Sequence, residues 1–373
     1  MTFRSLLAFG VLGSFLACAT ASAEPDTWAY FGCIGKQAPG IYVAPFDSET
    51  GTLGEARLLT ETETIASSFL AIDPSGTRLY AVQKHAEGGG VGSYVINPST
   101  GTLAAVNAVS IGSRGACHVC ITPDGKTLAT ADYGEGKVAS FSVGEDGSIS
   151  EVVSLIQHEG SSVNERRQTG PHAHCVVPSP DGSLIVSADL GADKIFLYEV
   201  GAGGAIKPHL QPSVPTKPGG GPRHFAFHPT MPFAYTNLEL TSEVTSFDFA
   251  GGRLMEKNSV STLPEPVEGN STSEMLIHPS GKYLYVANRG HNSIAAFAIG
   301  AHGDLSSIGH ASCGGEIPRN FGIAPDGRHI VTCNQKSGNA GVVKVAQDGS
   351  LTVTDQTLPL PTPMCVRFVP MAK

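Results

Sequence analysis

The sequence predicts an all-β protein, a seven-bladed β-propeller built from four-stranded antiparallel blades, on three observations. A proline that closes an apolar strand recurs at Pro74, Pro123, Pro180, Pro229, Pro279, Pro325 and Pro370, at spacings of 45 to 57 residues. Independently, a glycine turn leading to Leu or Ile recurs seven times, at Gly51, Gly101, Gly147, Gly204, Gly252, Gly303 and Gly349. Helical periodicity is almost absent, and a repeat of this length made of short strands is that of a propeller blade.

Taken in order, Arg4, the apolar stretch from Leu6 to Ala17 and the small-residue site Ala21-Ser22-Ala23 predict a cleaved export signal over residues 1–23, so that Glu24 begins the mature, periplasmic or secreted chain. Cys18 also suggests a lipoprotein site, but Phe15 stands where Leu is usual, and cleavage after Ala23 is preferred. No later segment approaches the ~18 apolar residues of a membrane helix. Residues 24–373 are expected to form one domain. One unit shows its four strands directly: Glu274 to His278, Tyr283 to Asn288, Ser293 to Ile299 and a strand after Leu305. Runs of Val, Ile, Phe and Tyr separated by Gly, Asn and Asp fit strands joined by tight turns. The chain opens on a second-type strand, Trp28 to Cys33, and closes on a first-type strand, Met364 to Val369. Pairing the two completes the last blade and removes an exposed edge at the seam. The longest insertion, Ile156 to Gly170, is polar and is predicted to be a rim loop ahead of the third inner strand.

Acidic residues outnumber basic ones by 33 to 24, and no Lys/Arg run occurs, so nucleic acid and anionic membrane are poor partners. Without Cys18, seven cysteines remain, an odd number that leaves at least one unpaired within the chain. Cys117 and Cys120, three apart on a strand, point to opposite faces and read as buried apolar residues rather than a redox or metal pair.

Chemistry is expected at one end of the central channel, where first strands start and second strands end. Arg223 and His224 open an apolar strand, and the antiparallel return through Ala234 brings Glu239 back beside them. The same rim collects Cys117, His118, Tyr133, His172, His174, Glu274, Asn288, Arg289, Arg319 and Asn320. His172 and His174, two apart, are placed on one strand face where they could ligate a metal, but no third ligand is evident. Asp189 and Asp193 read as turn acceptors, and His228 and His278 as structural residues at the far end.

Four motifs together resemble one family. Gly221-Pro222-Arg223-His224-Phe225-Ala226-Phe227-His228-Pro229, Gly170-Pro171-His172-Ala173-His174, Ala188-Asp189-Leu190-Gly191-Ala192-Asp193 and Ala287-Asn288-Arg289-Gly290-His291-Asn292-Ser293-Ile294 look like signatures of the seven-bladed lactonases. That family includes a bacterial 6-phosphogluconolactonase type and the fungal carboxy-cis,cis-muconate cyclase. The resemblance implies a cofactor-free lactone hydrolase with His174, Arg223, Glu239 and Arg289 as its catalytic residues. The family usually reads Asn-Glu-Leu at the carboxylate, whereas here Leu238 precedes Glu239 and Asn237 is displaced by one. His172, His224, Asn288 and Arg319 are expected to bind substrate, with His118 and Glu274 as further lining residues.

Opening a lactone needs a water activated near neutral pH, which Glu239 or His174 would provide. It also needs a cation where the carbonyl oxygen becomes negative, the role expected of Arg223, while Arg289 holds an anionic or polyhydroxy part of the substrate. Export favours an unphosphorylated aldonolactone over a cytosolic sugar phosphate. Two other functions share this rim: a cycloisomerase whose arginines clamp a muconate-type dicarboxylate, and a non-enzymatic propeller that binds a protein or glycan. The dense His, Arg and Glu constellation, with no aromatic anchors, favours an enzyme.

Overall fold

The computed structural model describes residues 24–36, 38–59, 67–85 and 88–372, so the export signal expected over residues 1–23 lies outside the described residues. Seven antiparallel sheets follow one another around a channel. The fourth blade is representative, with strands Pro222–Phe227, Phe233–Leu238, Glu243–Ala250 and Arg253–Ser261 hydrogen-bonded in that order. Glu239 falls just past its second strand, which ends at Leu238, one residue short of the end at Glu239 expected from sequence. First strands of neighbouring blades pack against one another around the axis, as in Ala173–Pro178 against Pro222–Phe227.

Closure occurs as the strand phase predicts. The C-terminal strand Pro363–Pro370 pairs antiparallel with Thr27–Cys33, in register from Thr27 opposite Pro370 to Gly32 opposite Cys365. The last blade is thus built from both ends of the chain, and the C-terminal strand occupies its inner position.

The recurring glycine turns lock one blade to the next. Gly101, Gly303 and Gly349 all have φ between 68° and 81°, a conformation costly for residues with a Cβ. Each also lies against an aromatic ring of the preceding blade: Trp28, Phe233 and Tyr283 respectively. Two residues on, and so on the same strand face, Tyr30, Tyr235 and Tyr285 donate their hydroxyls to the carbonyls of those same glycines at 3.0–3.1 Å. All three tyrosines are fully buried. The glycine leaves room for the ring, and the ring brings its neighbour's hydroxyl to the turn.

In urea unfolding, Tyr285→Phe is expected to cost about 1–2 kcal/mol, the loss of one buried hydrogen bond. Gly349→Ala should cost more, because a Cβ there would sit 2.3 Å from the Tyr283 ring at positive φ. Equal stability of Gly349→Ala and the parent protein would show that the turn does not clamp the blades.

Candidate active site

A repeated irregularity sets the site. The first strands of blades two to seven each carry a register shift against the second strand, at the end nearest the mouth. The skipped residues are Cys117, His174, Arg223 with His224, Ser273 with Glu274, Arg319, and Met364. A β-bulge re-aims the extra residue away from the ladder. Cys117, His174, Arg223, His224, Arg319 and Met364 accordingly line one recess at the mouth, with Ser68, Phe69 and Asn320.

Glu239 is the electrostatic centre of this mouth. Its Oε2 lies 3.0 Å from Nε of Arg223 and 3.1 Å from Nη2 of Arg289, while Oε1 accepts a 2.9 Å hydrogen bond from Nη2 of Arg167. The Arg223 contact is an ion pair without hydrogen-bond alignment, since Nε finds no aligned acceptor. Burial alone would raise the Glu239 carboxyl, but Arg289, Arg223 and Arg167 together bring it down to about 2. The guanidiniums are anchored elsewhere too: Arg223 donates from Nη1 to the carbonyl of Ser273, and Arg289 from Nη2 to that of Thr272. Burial and the nearby Arg289 bring Arg223 down to about 9, so it remains cationic at neutral pH.

Behind Arg223 runs a polar chain. Burial lowers the His224 imidazole, so at neutral pH it is uncharged and donates from Nδ1 to Oε1 of Glu274 at 2.5 Å. Its Nε2 is then free to accept from Nη1 of Arg223 at 3.0 Å. Glu274 also receives the backbone N–H of Met275 and the side-chain amide of Asn320. Burial works against the ionised Glu274, but His224 and Arg367 outweigh it and hold the carboxyl below its usual range. Glu274 and His118 line the apolar channel below the mouth, and His224 borders both spaces. The His118 ring stacks on Phe69 at 3.8 Å.

His174 is neutral for a plain reason: burial and then Arg223 disfavour its cation, so its pKa falls well below 6.5. Its Nδ1 is buried and has no hydrogen-bond partner among the described residues. His172 does not share its surroundings, because the strand begins at Ala173 and the bulge takes His174 out of simple alternation. The His172 ring stacks on Tyr133 at 4.4 Å, with Nδ1 on the Tyr133 carbonyl. Among the described residues no group of three or more His, Cys, Asp or Glu is arranged to hold a metal.

Arg319 also lines the recess and has no hydrogen bond or ion pair among the described residues; burial and Arg289 lower its pKa. Asn288 is not brought to the mouth. It is fully buried, accepting from Thr262 and Asn270 and donating to the Thr262 carbonyl and Ser293. Displaced Asn237 keeps full hydrogen bonding: it accepts from the backbone of His224 and donates to Thr272 and Ser273, tying two blades together. Asp189 and Asp193 act as turn acceptors, taking the backbone N–H groups of His172 and Ala192, and of Gly219 and Gly221. All seven cysteines of the described residues are unpaired thiols.

Arg167 is the contributor that the sequence reading did not single out. It comes from the polar insertion, whose Arg166-Arg167 pair was the available signal. Its contact with Glu239 spans 72 residues, which no local pattern shows.

A propeller with a buried arginine–carboxylate cluster and a neutral histidine at one mouth defines a class of small-molecule site, and the comparisons identify its lineage. The chain belongs to the family of seven-bladed β-propeller lactonases, whose model matches residues 28–368. It is 33% identical to a 6-phosphogluconolactonase of Bacillus subtilis over 91% of this chain and 98% of that protein. A 6-phosphogluconolactonase of Formosa agariphila is also 33% identical, over 83% of this chain and 90% of that protein. Among solved structures, the periplasmic gluconolactonase of Pseudomonas aeruginosa superposes with a TM-score of 0.86 at 31% identity, covering 92% of this chain and 99% of that one.

The depressed Glu239 carboxyl has a pH consequence. Its folded value of about 2 lies below its reference of 4.5, so its stabilisation is complete above about pH 4.5 and is lost as pH falls toward 2. Glu239→Gln should therefore be less stable than the parent at pH 7, by roughly 3 kcal/mol, with the gap narrowing as pH falls below 4.5. Denaturant titrations at pH 7 and pH 3 measure it; an unchanged gap would contradict the ion-pair account.

Proposed function

We propose that this protein hydrolyses a sugar-type lactone at the mouth of the channel. The observation that carries the reading is the neutral His174, with an unpartnered Nδ1, in the same recess as Arg223 and Arg319. Glu239 is a poor proton acceptor while three guanidiniums hold its carboxyl at about 2. His174 therefore takes the base role, and Glu239 holds the arginines in place.

In this mechanism a water attacks the lactone carbonyl carbon as its proton passes to His174. Negative charge gathers on the carbonyl oxygen opposite Arg223, where a preformed cation stabilises it without reorganisation. The acyl–oxygen bond of the ring then breaks, and the imidazolium returns its proton to the leaving oxygen. The product is a hydroxy acid that ionises and releases one proton to solvent. The Glu274–His224 chain keeps Arg223 oriented but does not enter the proton transfers.

The resemblance to 6-phosphogluconolactonases and to a periplasmic gluconolactonase supports this reaction class. We further propose that residues 1–23 direct export. An exported chain meets sugar lactones made outside the cytoplasm, which points to aldonolactones without phosphate. N-terminal sequencing of protein recovered from outside the cytoplasm is expected to begin at Glu24; a chain that keeps Met1 and stays in the cytosol would refute export.

Proton release from glucono-1,5-lactone and its 6-phosphate, against the spontaneous background, tests the activity. His174→Ala is expected to lower kcat by about 10²-fold or more, and Arg223→Ala by a similar factor. Because the His174 cation is disfavoured, kcat/KM should stay flat through pH 6.5 and fall only well below it. Parent protein indistinguishable from background on both compounds would reject hydrolysis of this class. The surplus of arginines keeps a muconate-type cycloisomerase as a second reading, recognised by loss of diene absorbance without proton release.

A further inference from the structure

One blade breaks the tyrosine clamp. Arg78 lies against the turn at Gly147 as Trp28, Phe233 and Tyr283 lie against theirs, and Tyr80, two residues on, stands where Tyr30, Tyr235 and Tyr285 reach a glycine carbonyl. Here that carbonyl is already taken. The hydroxyl of Ser93, directly opposite Tyr80 in the strand ladder, donates to the Gly147 carbonyl at 2.6 Å. Tyr80 is only 1% exposed, yet its hydroxyl has no hydrogen-bond partner among the described residues. A buried polar group left open is rare and calls for a partner from outside the chain. Burial raises this phenol to about 12, so at neutral pH it keeps its proton and can donate.

Tyr80 borders a groove of about 570 Å³ at the end of the blades away from the mouth, walled by turns of the first three blades at residues 73–78, 124–127, 142–147 and 200–204. The unused groups on these walls are of both kinds. Nζ of Lys126 has no partner among the described residues, and the Arg78 guanidinium reaches only its neighbour Thr77, through Nη1, so both can donate. Asp124 spends Oδ1 on the Thr122 hydroxyl and the Lys126 backbone, which leaves Oδ2 to accept, and Glu145 adds a second unused carboxylate. Asp73 is committed to its own turn, taking the backbone N–H groups of Ser75, Thr77 and Arg78, and Asp146 beside the groove is committed to Ser148. An anion entering here meets carboxylates, and an ammonium meets Arg78 and Lys126. Donors and acceptors are matched together by a ligand whose own groups do both, which is the property of a hydroxyl.

We propose that this groove is a second binding site, for a neutral saccharide, with the Tyr80 hydroxyl as its buried contact. It shares no residue with the arginine–carboxylate mouth, and it does not depend on the lactonase reading, because binding is read without turnover.

Calorimetry on the purified protein with cellobiose, maltose, glucuronate and glucosamine tests the site, using Tyr80→Phe and, to mark the mouth, Arg223→Ala. The parent is expected to bind at least one of the two neutral disaccharides, and to bind it more tightly than either charged sugar. Tyr80→Phe should weaken that disaccharide about five- to ten-fold, the loss of one hydrogen bond, while Arg223→Ala binds it like the parent. In urea without sugar, Tyr80→Phe should unfold with the parent, because its hydroxyl holds nothing within the chain; a loss of affinity is then not a loss of fold. No binding of either disaccharide, unchanged binding in Tyr80→Phe, or binding lost in Arg223→Ala would overturn the site, the last by placing the sugar at the mouth. Tighter binding of glucuronate or glucosamine would overturn the neutral class.

Discussion

The carboxylate of Glu239 is the one group that lets four arginines share a buried mouth. Arg223, Arg289 and Arg167 reach it from a first strand, a second strand and a loop of different blades, and Arg319 feels its charge without touching it. Desolvated guanidiniums repel one another, and their mutual effect is visible in the lowering of Arg223 and Arg319 by Arg289. A single anion at hydrogen-bond distance offsets that repulsion for three of them. The same neutralisation makes Glu239 a poor proton acceptor, the ground on which His174 is proposed as the base.

Geometry at the mouth follows from bulges rather than from strand alternation. Six inner strands skip one or two residues against their partners where they enter the mouth, and the skipped positions include His174, Arg223, His224, Glu274 and Arg319. A regular strand would alternate these side chains between the two faces of its blade. Adding a residue at the same place in successive blades turns them toward one axis, so that a repeated structural device carries side chains that are not repeated.

Inter-blade packing explains why the glycine turns were readable at all. A glycine at positive φ against an aromatic ring, with a tyrosine hydroxyl two residues further on reaching its carbonyl, is a local demand that recurs with every use of the device. Such demands leave marks in sequence. The ring seam was legible for a related reason, since the unpaired phase of the first and last strands has one solution without an open edge.

By itself, the sequence determined blade number, strand order, ring closure and the mouth at which His174, Arg223, Glu239 and Arg289 gather, because period, turn chemistry and strand direction are local properties. Tertiary structure decided the rest. It separated His172 from His174 through a bulge, withdrew Asn288 into a buried amide network, and delivered Arg167 to a carboxylate 72 residues away. It also decided that Glu239 is locked and His174 free, because a pKa depends on burial and on charges brought together from distant blades, which no stretch of chain specifies alone.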